Sequence, residues 1–292
     1  MKILVLGSTG MAGHMIAAVL SERGHAVTGF SRSGKGVVPT VAGDATDDRL
    51  LETVLSEGNY DAVVNCIGIL NADAEARKDA AVYLNAYLPH RLAKLCEGTR
   101  TRIVHLSTDC VFSGARGAYA VTDTPDGTTF YDRTKALGEL NDDRNLTIRT
   151  SIVGPDPDPK GIGLVNWFLQ QTESVNGYTG SVWNGITTLE LAHTVEHCLK
   201  HCVSGIIQPT VPAGVTKYDL LRMTAEIFGR SDITLVPVPG VVHNKTLLRT
   251  PVPGMETAPD YETMLRDLRD WVLRHRELYP HYRMEGNTPW QN

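Results

Sequence analysis

The stretch KILVLGSTGMAGHMIAAVL (residues 2–20) passes from an apolar run through glycines 7, 10 and 13 into helix-forming residues. An apolar run without polar alternation suits a strand buried on both faces, the habit of parallel sheets flanked by helices. Glycines at the strand-to-helix junction constrain the local fold, because the chain must turn tightly and something must come close to its backbone. The spacing Gly-x-x-Gly-x-x-Gly fits a first βα turn that holds a dinucleotide. Gly7 permits the turn, Gly10 lets backbone approach a pyrophosphate, and Gly13 lets the helix pack close to its strand. The free N–H groups of the helix start then face the phosphates, with Thr9 and Met11 in the same turn.

The pattern repeats. AVTGFS (26–31), DAVVNCIG (61–68), RIVHLS (102–107) and LTIRTSIVG (146–154) read as further strands. Between them lie helical stretches: Met11 to Arg23, stopped by Gly24; LLETVLSE, which Thr46 or Asp47 could cap; and a long run from about Asp73 to Cys96. Strands alternating with helices imply an α/β fold, a doubly wound parallel (Rossmann) sheet with ligands beyond the carboxyl ends of its strands. After Gly154 the turn-rich GPDPDPKGIG breaks the pattern. The expected organisation is a dinucleotide-binding domain over residues 1–154 and a smaller C-terminal substrate-binding cap. The cap takes residues 155–186 and 204–292, while a helix within 187–203, TLELAHTVEHCLKHC, returns to the sheet.

Composition narrows the partners. Of 292 residues, 42% are hydrophobic and 21% charged, ordinary usage for a soluble globular chain. A net charge of −5 offers no basic field for nucleic acid or an anionic membrane. No apolar run approaches the ~20 residues of a membrane span. MKILVLG is too short for a signal peptide and runs straight into the glycine turn. Five scattered cysteines read as reduced thiols, so a cytoplasmic protein is expected.

The second strand ends in GFSRS. An acidic residue there would bind a free ribose diol; Ser31 and Arg32 instead suit a 2′-phosphate. The expected cofactor is therefore NADP(H), with NAD(H) the lesser option. GDATD places Asp44 after a third strand, where adenine could lie, although aspartate in a turn is more often a local cap. HLSTDCVFSG puts Ser107 and Thr108 just past a strand's carboxyl end. Thr108 could hydrogen-bond a substrate oxygen, or simply close a Ser/Thr turn. In FYDRTKALGE, Tyr131 and Lys135 stand one helical turn apart and share a face. The lysine charge, beside an oxidised nicotinamide, would lower a phenol from ~10 toward working pH and make Tyr131 a proton donor or acceptor. His193, His197 and His201 recur every four residues, but Leu191, Val195, Cys198 and Cys202 form a separate apolar stripe that leaves them on a polar face. No carboxylate or cysteine set completes a site around them, so no metal is expected.

Gly7, Gly10, Gly13, Thr108, Tyr131 and Lys135, in that order and at those separations, resemble the extended short-chain dehydrogenase/reductases. STDCVFSG and GAYAVTDTPDGTTFYDRTKALGE resemble the branch of dTDP-4-dehydrorhamnose reductases and related nucleotide-sugar reductases. The resemblance is good over about residues 1–155 and thins afterwards, where WNGITTLELA is similar to the segment returning from the substrate domain. It implies that Asn65, Ile67 and Gly68 line the cofactor, with Asn85 on the next helix. Val121 departs from the family's acidic residue at that position, and Asp132 replaces the glycine usual after the tyrosine.

The implied activity is NADPH-dependent reduction of a keto-sugar carried on a nucleoside diphosphate. Tyr131 would protonate the new alkoxide, Thr108 hold its oxygen, and Lys135 tune Tyr131 and hold the nicotinamide ribose. Lys160, Lys217 and Arg249 are available to the diphosphate of this nucleoside-diphosphate sugar, and the family allows a homodimer. An epimerase could use the same Tyr and Lys while holding its cofactor tightly. A non-catalytic, cofactor-binding regulatory subunit is the rival of a different class. Asp109 is followed by Cys110 rather than Glu, which counts against a 4,6-dehydratase.

Overall fold

The computed structural model describes residues 1–255 and 257–284; residue 256 and residues 285–292, within the stretch assigned to the cap, lie outside the described residues. β1 (Lys2–Leu6), α1 (Met11–Glu22), β2 (Ala26–Ser31), β3 (Thr40–Ala42), α2 (Asp48–Gly58) and β4 (Ala62–Asn65) form the first half of the central unit. Next come α3 (Asn71–Ala76), α4 (Lys78–Ala81), a π-helical turn (Val82–Tyr87) and α5 (Leu88–Leu95). β5 (Arg102–Ser107), α6 (Phe130–Leu137) and β6 (Leu146–Arg149) complete its second half.

The chain then leaves through β7 (Ile152–Val153), α7 (Leu164–Leu169), β8 (Val175–Tyr178), β9 (Ser181–Trp183) and β10 (Ile186–Thr187). It comes back along α8 (Thr188–Lys200), which packs on α1, and adds β11 (Gly205–Ile207) as a seventh strand. The sheet order is β11-β6-β5-β4-β1-β2-β3, parallel throughout. Strand order reverses at β1 and β4, so the crevice for a ligand opens beyond their carboxyl ends. β12 (Val215–Thr216), α9 (Lys217–Ile227), β13 (Leu235–Val238), β14 (His243–Asn244) and α10 (Tyr261–Arg274) complete the order. β9 takes β12 on one side and β14 on the other, while β13 pairs with β8. No helix among the described residues is long and apolar enough to cross a membrane.

Two local expectations are corrected. LTIRTSIVG is not one strand: β6 stops at Arg149, and β7 pairs with β10 in a separate ribbon. The ladder ends where polar side chains turn inward, Arg149 toward Glu139 and the Thr150 hydroxyl toward the Pro209 carbonyl (3.1 Å). The expected long helix from Asp73 to Cys96 breaks at Arg77 (φ −127°) and widens into the π-helical turn before Pro89. Proline has no N–H to return to the Asn85 carbonyl, which frees that turn to widen. The Asn85 side chain is buried there, and its carbonyl approaches Gly138 so closely that a Cβ on that glycine would lie 1.9 Å away.

The chain's last described segment returns to its first helix. Tyr279 is buried with its hydroxyl 2.7 Å from Nε2 of His14, whose Nδ1 lies 3.0 Å from the Gly10 carbonyl. A carbonyl can only accept, so Nδ1 carries the ring proton and Nε2 accepts from Tyr279. Burial pushes the His14 pKa down to about 4, and the ring stays neutral in the fold. Unfolded, the ring titrates near 6.5, so between 6.5 and about 4 only the unfolded state gains a proton there. Stability therefore falls as pH drops through that window, by about 3 kcal/mol from this group. Urea unfolding at pH 7 and pH 4.5 should show the loss. It should shrink in His14→Asn, whose amide can still donate to Gly10 but does not titrate; an equal slope in both proteins would refute the assignment.

Candidate active site

The glycine turn lies at the crevice. Gly7 adopts φ +75° and donates its N–H to the Phe30 carbonyl (2.9 Å). A Cβ on Gly13 would stand 2.1 Å from the Gly7 oxygen, so only glycine lets α1 approach this closely. At Gly10 the same test finds nothing nearer than 3.7 Å: the face is open. Gly10 is the N-cap of α1, and no side chain caps that turn among the described residues. Its first N–H groups are thus left for an external acceptor. Thr9 is exposed and Met11 half-buried beside them, with Gly163 packed against the Met11 sulfur.

At the end of β2, Ser31 and Arg32 part company. Ser31 is buried and its hydroxyl donates to the Lys35 carbonyl (3.1 Å), whereas Arg32 is exposed and has no hydrogen bond or ion pair among the described residues. Asp44 closes its own turn, accepting from the Thr46 N–H (2.9 Å) and hydroxyl (2.8 Å), which hold its carboxyl below the usual range.

Beyond β4, Asn65 accepts from the Ile67 N–H (3.2 Å), and Gly68 is exposed. Asn85 clamps the same loop, accepting from the Ile69 N–H (2.8 Å) and donating to the Ile69 carbonyl (2.9 Å). Its amide also reaches Thr134 of α6 at 3.2 Å. The π-helical turn therefore joins the β4 loop to the helix that carries Tyr131 and Lys135.

That helix starts with a reciprocal cap: Thr129 accepts from the Asp132 N–H, and Asp132 accepts from the Thr129 N–H, both at 3.1 Å. Here is the role of the aspartate that replaces a glycine after Tyr131. Thr108 is the N-cap of a short 3-10 turn (Asp109–Val111); its hydroxyl accepts from the Cys110 N–H and donates to Asp109 Oδ1, both at 3.1 Å. Tyr131 and Lys135 are buried. The Lys135 ammonium donates to the Leu106 carbonyl (2.6 Å) and sits 3.3 Å from His105 Nε2.

The expectation that Lys135 lowers the Tyr131 pKa needs correcting for the chain's own groups. Burial pushes the phenol up, Cys110, Asp109 and Asp132 add to that, and the nearby Thr108 hydroxyl works against it. Lys135 is aimed at the end of β5 instead, and burial pushes it down to about 8, with Glu139 and Cys66 opposing.

Beneath these residues runs a network that the sequence did not single out. Glu139 accepts from Ser107 (2.6 Å) and takes Arg149 in a two-pronged ion pair (2.9 and 2.6 Å). The side chains are only 6% and 2% exposed, respectively. Arg149 also donates to Gln208 Oε1 (3.0 Å), and Gln208 donates to the carbonyls of Tyr119 (3.0 Å) and Leu248 (2.8 Å). One available signal was Glu139 itself, four residues after Lys135. Arg149 inside an apolar strand would have been a second.

Of the three cations suggested for a diphosphate, Lys160 is on an exposed loop. Arg249 donates to the carbonyls of Thr210 (3.0 Å) and Met255 (2.8 Å), so its charge braces a loop. Lys217 fares differently. Its charge and that of Lys245 act on His243, and both His243 and Lys245 interact with Asp109 beside Thr108. His193 faces Glu190 at 3.8 Å, while His197 meets the Pro253 carbonyl (2.7 Å) and stacks on His201. Among the described residues no group of His, Cys, Asp or Glu could hold a metal ion.

Residues 1–174 match the family model described as RmlD substrate binding domain. The chain belongs to that family, within the extended short-chain dehydrogenase/reductases. A dTDP-4-keto-6-deoxy-D-glucose reductase of Streptomyces niveus is 27% identical, over 95% of this chain and 96% of that protein. A dTDP-4-dehydrorhamnose reductase of Bacillus anthracis, solved in complex with NADP, superposes with a TM-score of 0.78 at 17% identity, covering 91% of this chain and 98% of its own. UDP-glucose 4-epimerase of Thermotoga maritima gives 0.76 at 18% identity, covering 94% and 99%. At such identities the two structures establish a shared fold, common to reductases and epimerases. Family membership makes the chain an NAD(P)-dependent oxidoreductase of the extended type.

The buried ion pair generates a test. Glu139→Gln leaves the Arg149 guanidinium buried without its counter-charge, which should cost roughly 3–5 kcal/mol of stability. Urea unfolding at pH 7 measures it. A change within about 1 kcal/mol, the range of exposed pairs, would mean that the pair is not buried in solution.

Proposed function

We propose that this chain reduces the keto group of a sugar carried on a nucleoside diphosphate, with NADPH as reductant. One observation carries the proposal: Thr108 directly follows β5 with its hydroxyl near the Tyr131 phenol, Lys135 reaches the Leu106 carbonyl at the end of the same strand, and the glycine turn after β1 has an open, uncapped helix start. These residues fit a dinucleotide. Gly7, Thr9, Gly10, Met11 and Gly13 would hold its diphosphate, Arg32 its 2′-phosphate, and Asn65, Ile67 and Gly68 its far end. Bound there, NADPH would supply a hydride to the carbonyl carbon.

The side chains manage the proton. As negative charge develops on the carbonyl oxygen, Tyr131 gives it the phenolic proton. Burial keeps Tyr131 protonated, the state a donor requires. Thr108 turns its hydroxyl from Asp109 to the same oxygen, stabilising the charge as it forms. Lys135, with a pKa of about 8, is mostly an ammonium at pH 7 and would hold the nicotinamide ribose. Residues 155–186 and those after β11 would form the substrate-binding cap; β11, which the expected cap of 204–292 included, pairs with β6 in the central sheet, and α8 packs on α1. Lys217, His243 and Lys245 would meet the diphosphate. The Streptomyces niveus relative, whose sequence matches along nearly the whole chain, supports a reductase and a dTDP-linked 4-keto-6-deoxy sugar.

The test monitors NADPH absorbance with a panel of nucleotide-linked 4-keto sugars. Turnover with at least one is expected, and Tyr131→Phe should lower it about 10²–10⁴-fold with the fold and NADPH binding kept. Protein that carries tightly held NAD and interconverts sugar epimers without consuming NADPH would instead be an epimerase. Near-wild-type turnover in Tyr131→Phe would remove Tyr131 from the proposed role.

Arg32 yields a second prediction. Charge-assisted bonds contribute ~1.5–3 kcal/mol, or ~10–150-fold in affinity, and exposure argues for the lower end. Arg32→Ala should raise KM for NADPH by about tenfold and leave KM for NADH nearly unchanged. Equal use of both cofactors by the unaltered protein would show that the guanidinium points into solvent.

A further inference from the structure

The strap after α10, residues 279–284, bonds both to α1, at whose start the proposed dinucleotide diphosphate would lie, and to the loop that packs beside that start. On the α1 side, Trp271 Nε1–H donates to the Tyr279 oxygen (3.3 Å), Tyr279 donates to His14 Nε2 (2.7 Å), and His14 Nδ1–H donates to the Gly10 carbonyl (3.0 Å). Each atom has one role that satisfies its neighbours, so the proton positions in this chain are determined. The Gly10 carbonyl also accepts the His14 backbone N–H (2.9 Å), so two donors fix the N-cap of α1.

On the loop side, the Asp156 N–H donates to the Tyr282 oxygen (2.8 Å), and Tyr282 donates to Asn166 Oδ1 (2.7 Å). Asn166 then uses its amide on the carbonyls of Gly161 (2.7 Å) and Asp158 (3.2 Å). This binds the 156–163 loop, whose Gly163 rests on Met11 of the glycine turn. Tyr279 and Tyr282 are each 1% exposed, and their rings stack with centroids 5.6 Å apart. Two separate hydrogen-bond chains thus leave one buried tyrosine pair, one ending on the Gly10 carbonyl and the other on the loop whose Gly163 packs against Met11.

We propose that Tyr279 and Tyr282 are positioning residues for the dinucleotide diphosphate: through His14 and Asn166 they hold the Gly10 turn and the neighbouring loop at the separation the phosphates need. The inference rests on reading the glycine turn as the cofactor site. Neither tyrosine touches the reacting atoms, so their effect falls on cofactor affinity and not on the chemical step. Loss of the Tyr279 hydroxyl leaves His14 Nε2 buried without a donor. The ring can then turn or take up a proton, and the Gly10 carbonyl loses its second anchor.

Isothermal titration of the full chain with NADPH tests this, alongside kcat at saturating NADPH and thermal melting. Tyr279→Phe should raise Kd for NADPH about tenfold, the scale of one buried hydrogen bond, with kcat within about twofold of the unaltered protein. Tyr282→Phe should act in the same direction. Met284→Ala, in the same strap but without a polar link to either side, is the control for general loosening. If it raises Kd as much as Tyr279→Phe at equal loss of melting temperature, the positioning role is overturned. Unchanged Kd in both tyrosine variants would overturn it too. Failure of the unaltered protein to bind NADPH would sink the cofactor-site reading itself, and the inference with it.

Discussion

The approach of α1 to β1 is limited by one contact, Gly13 against the Gly7 carbonyl, and the cofactor side of the molecule depends on it. A Cβ at 2.1 Å is far inside any permitted separation, so a side chain there would lever the helix outward. The displacement would be felt by every group that α1 positions. Gly10 and the uncapped N–H groups would retreat from the crevice. His14, the next residue, would lose register with Tyr279 across 265 positions of sequence. The small residue at 13 and the large ones at 14 and 279 are parts of one constraint: the first sets the distance, and the others keep it.

A second dependence lies beneath the proposed proton donor. Lys135, Glu139 and Arg149 place three charged groups in the interior, an arrangement that burial alone would penalise. Each is answered locally: Lys135 by the Leu106 carbonyl, Glu139 by Ser107 and Arg149, and Arg149 additionally by Gln208 and the face of Phe112, 5.1 Å from the guanidinium carbon. Replacing the set with aliphatic side chains of similar volume could be neutral or favourable for stability. The charges have a use that aliphatic residues would lack. Glu139 opposes the depression of Lys135, and Gln208 carries the network to the 119 and 248 loops outside the sheet.

Much of the sheet was legible because buried parallel strands are written as unbroken apolar runs. AVTGFS and RIVHLS match β2 and β5 residue for residue, and Asp47 caps α2 through its bond to Leu50. The misread elements are those where a distant polar partner overrides local pattern. LTIRTSIVG looks continuous, yet Arg149 ends β6 because Glu139 and Gln208 wait for it in the interior. The Asp73 to Cys96 run has helical periodicity, but periodicity does not report the missing N–H of Pro89 or the inward turn of Asn85. In the candidate site, the spacing of Gly7, Gly10 and Gly13 and of Tyr131 and Lys135 was readable because each set is local. His14, Tyr279 and Gln208 were not, because their meaning lies in pairings that span much of the chain. Ser31 shows the opposite limit. Its residue type suited a phosphate, but its hydroxyl is held by the Lys35 carbonyl of its own loop.

The protonation states bear on the direction of the proposed reaction. An alcohol being oxidised needs a base, which Tyr131 could be only as phenolate; a ketone being reduced needs an acid. Burial, with Cys110, Asp109 and Asp132 close by, disfavours the phenolate, so the chain alone presents an acid. Asp109 is itself pushed up by desolvation, which weakens one of the negative charges opposing the phenolate, while Lys245 draws it back. Lys135 is turned to the Leu106 carbonyl, and burial pushes its pKa down to about 8. Raising the pH removes the lysine charge while burial still holds Tyr131 as the phenol. A site arranged this way donates a proton over the neutral range more readily than it accepts one, which is what reduction of a carbonyl requires.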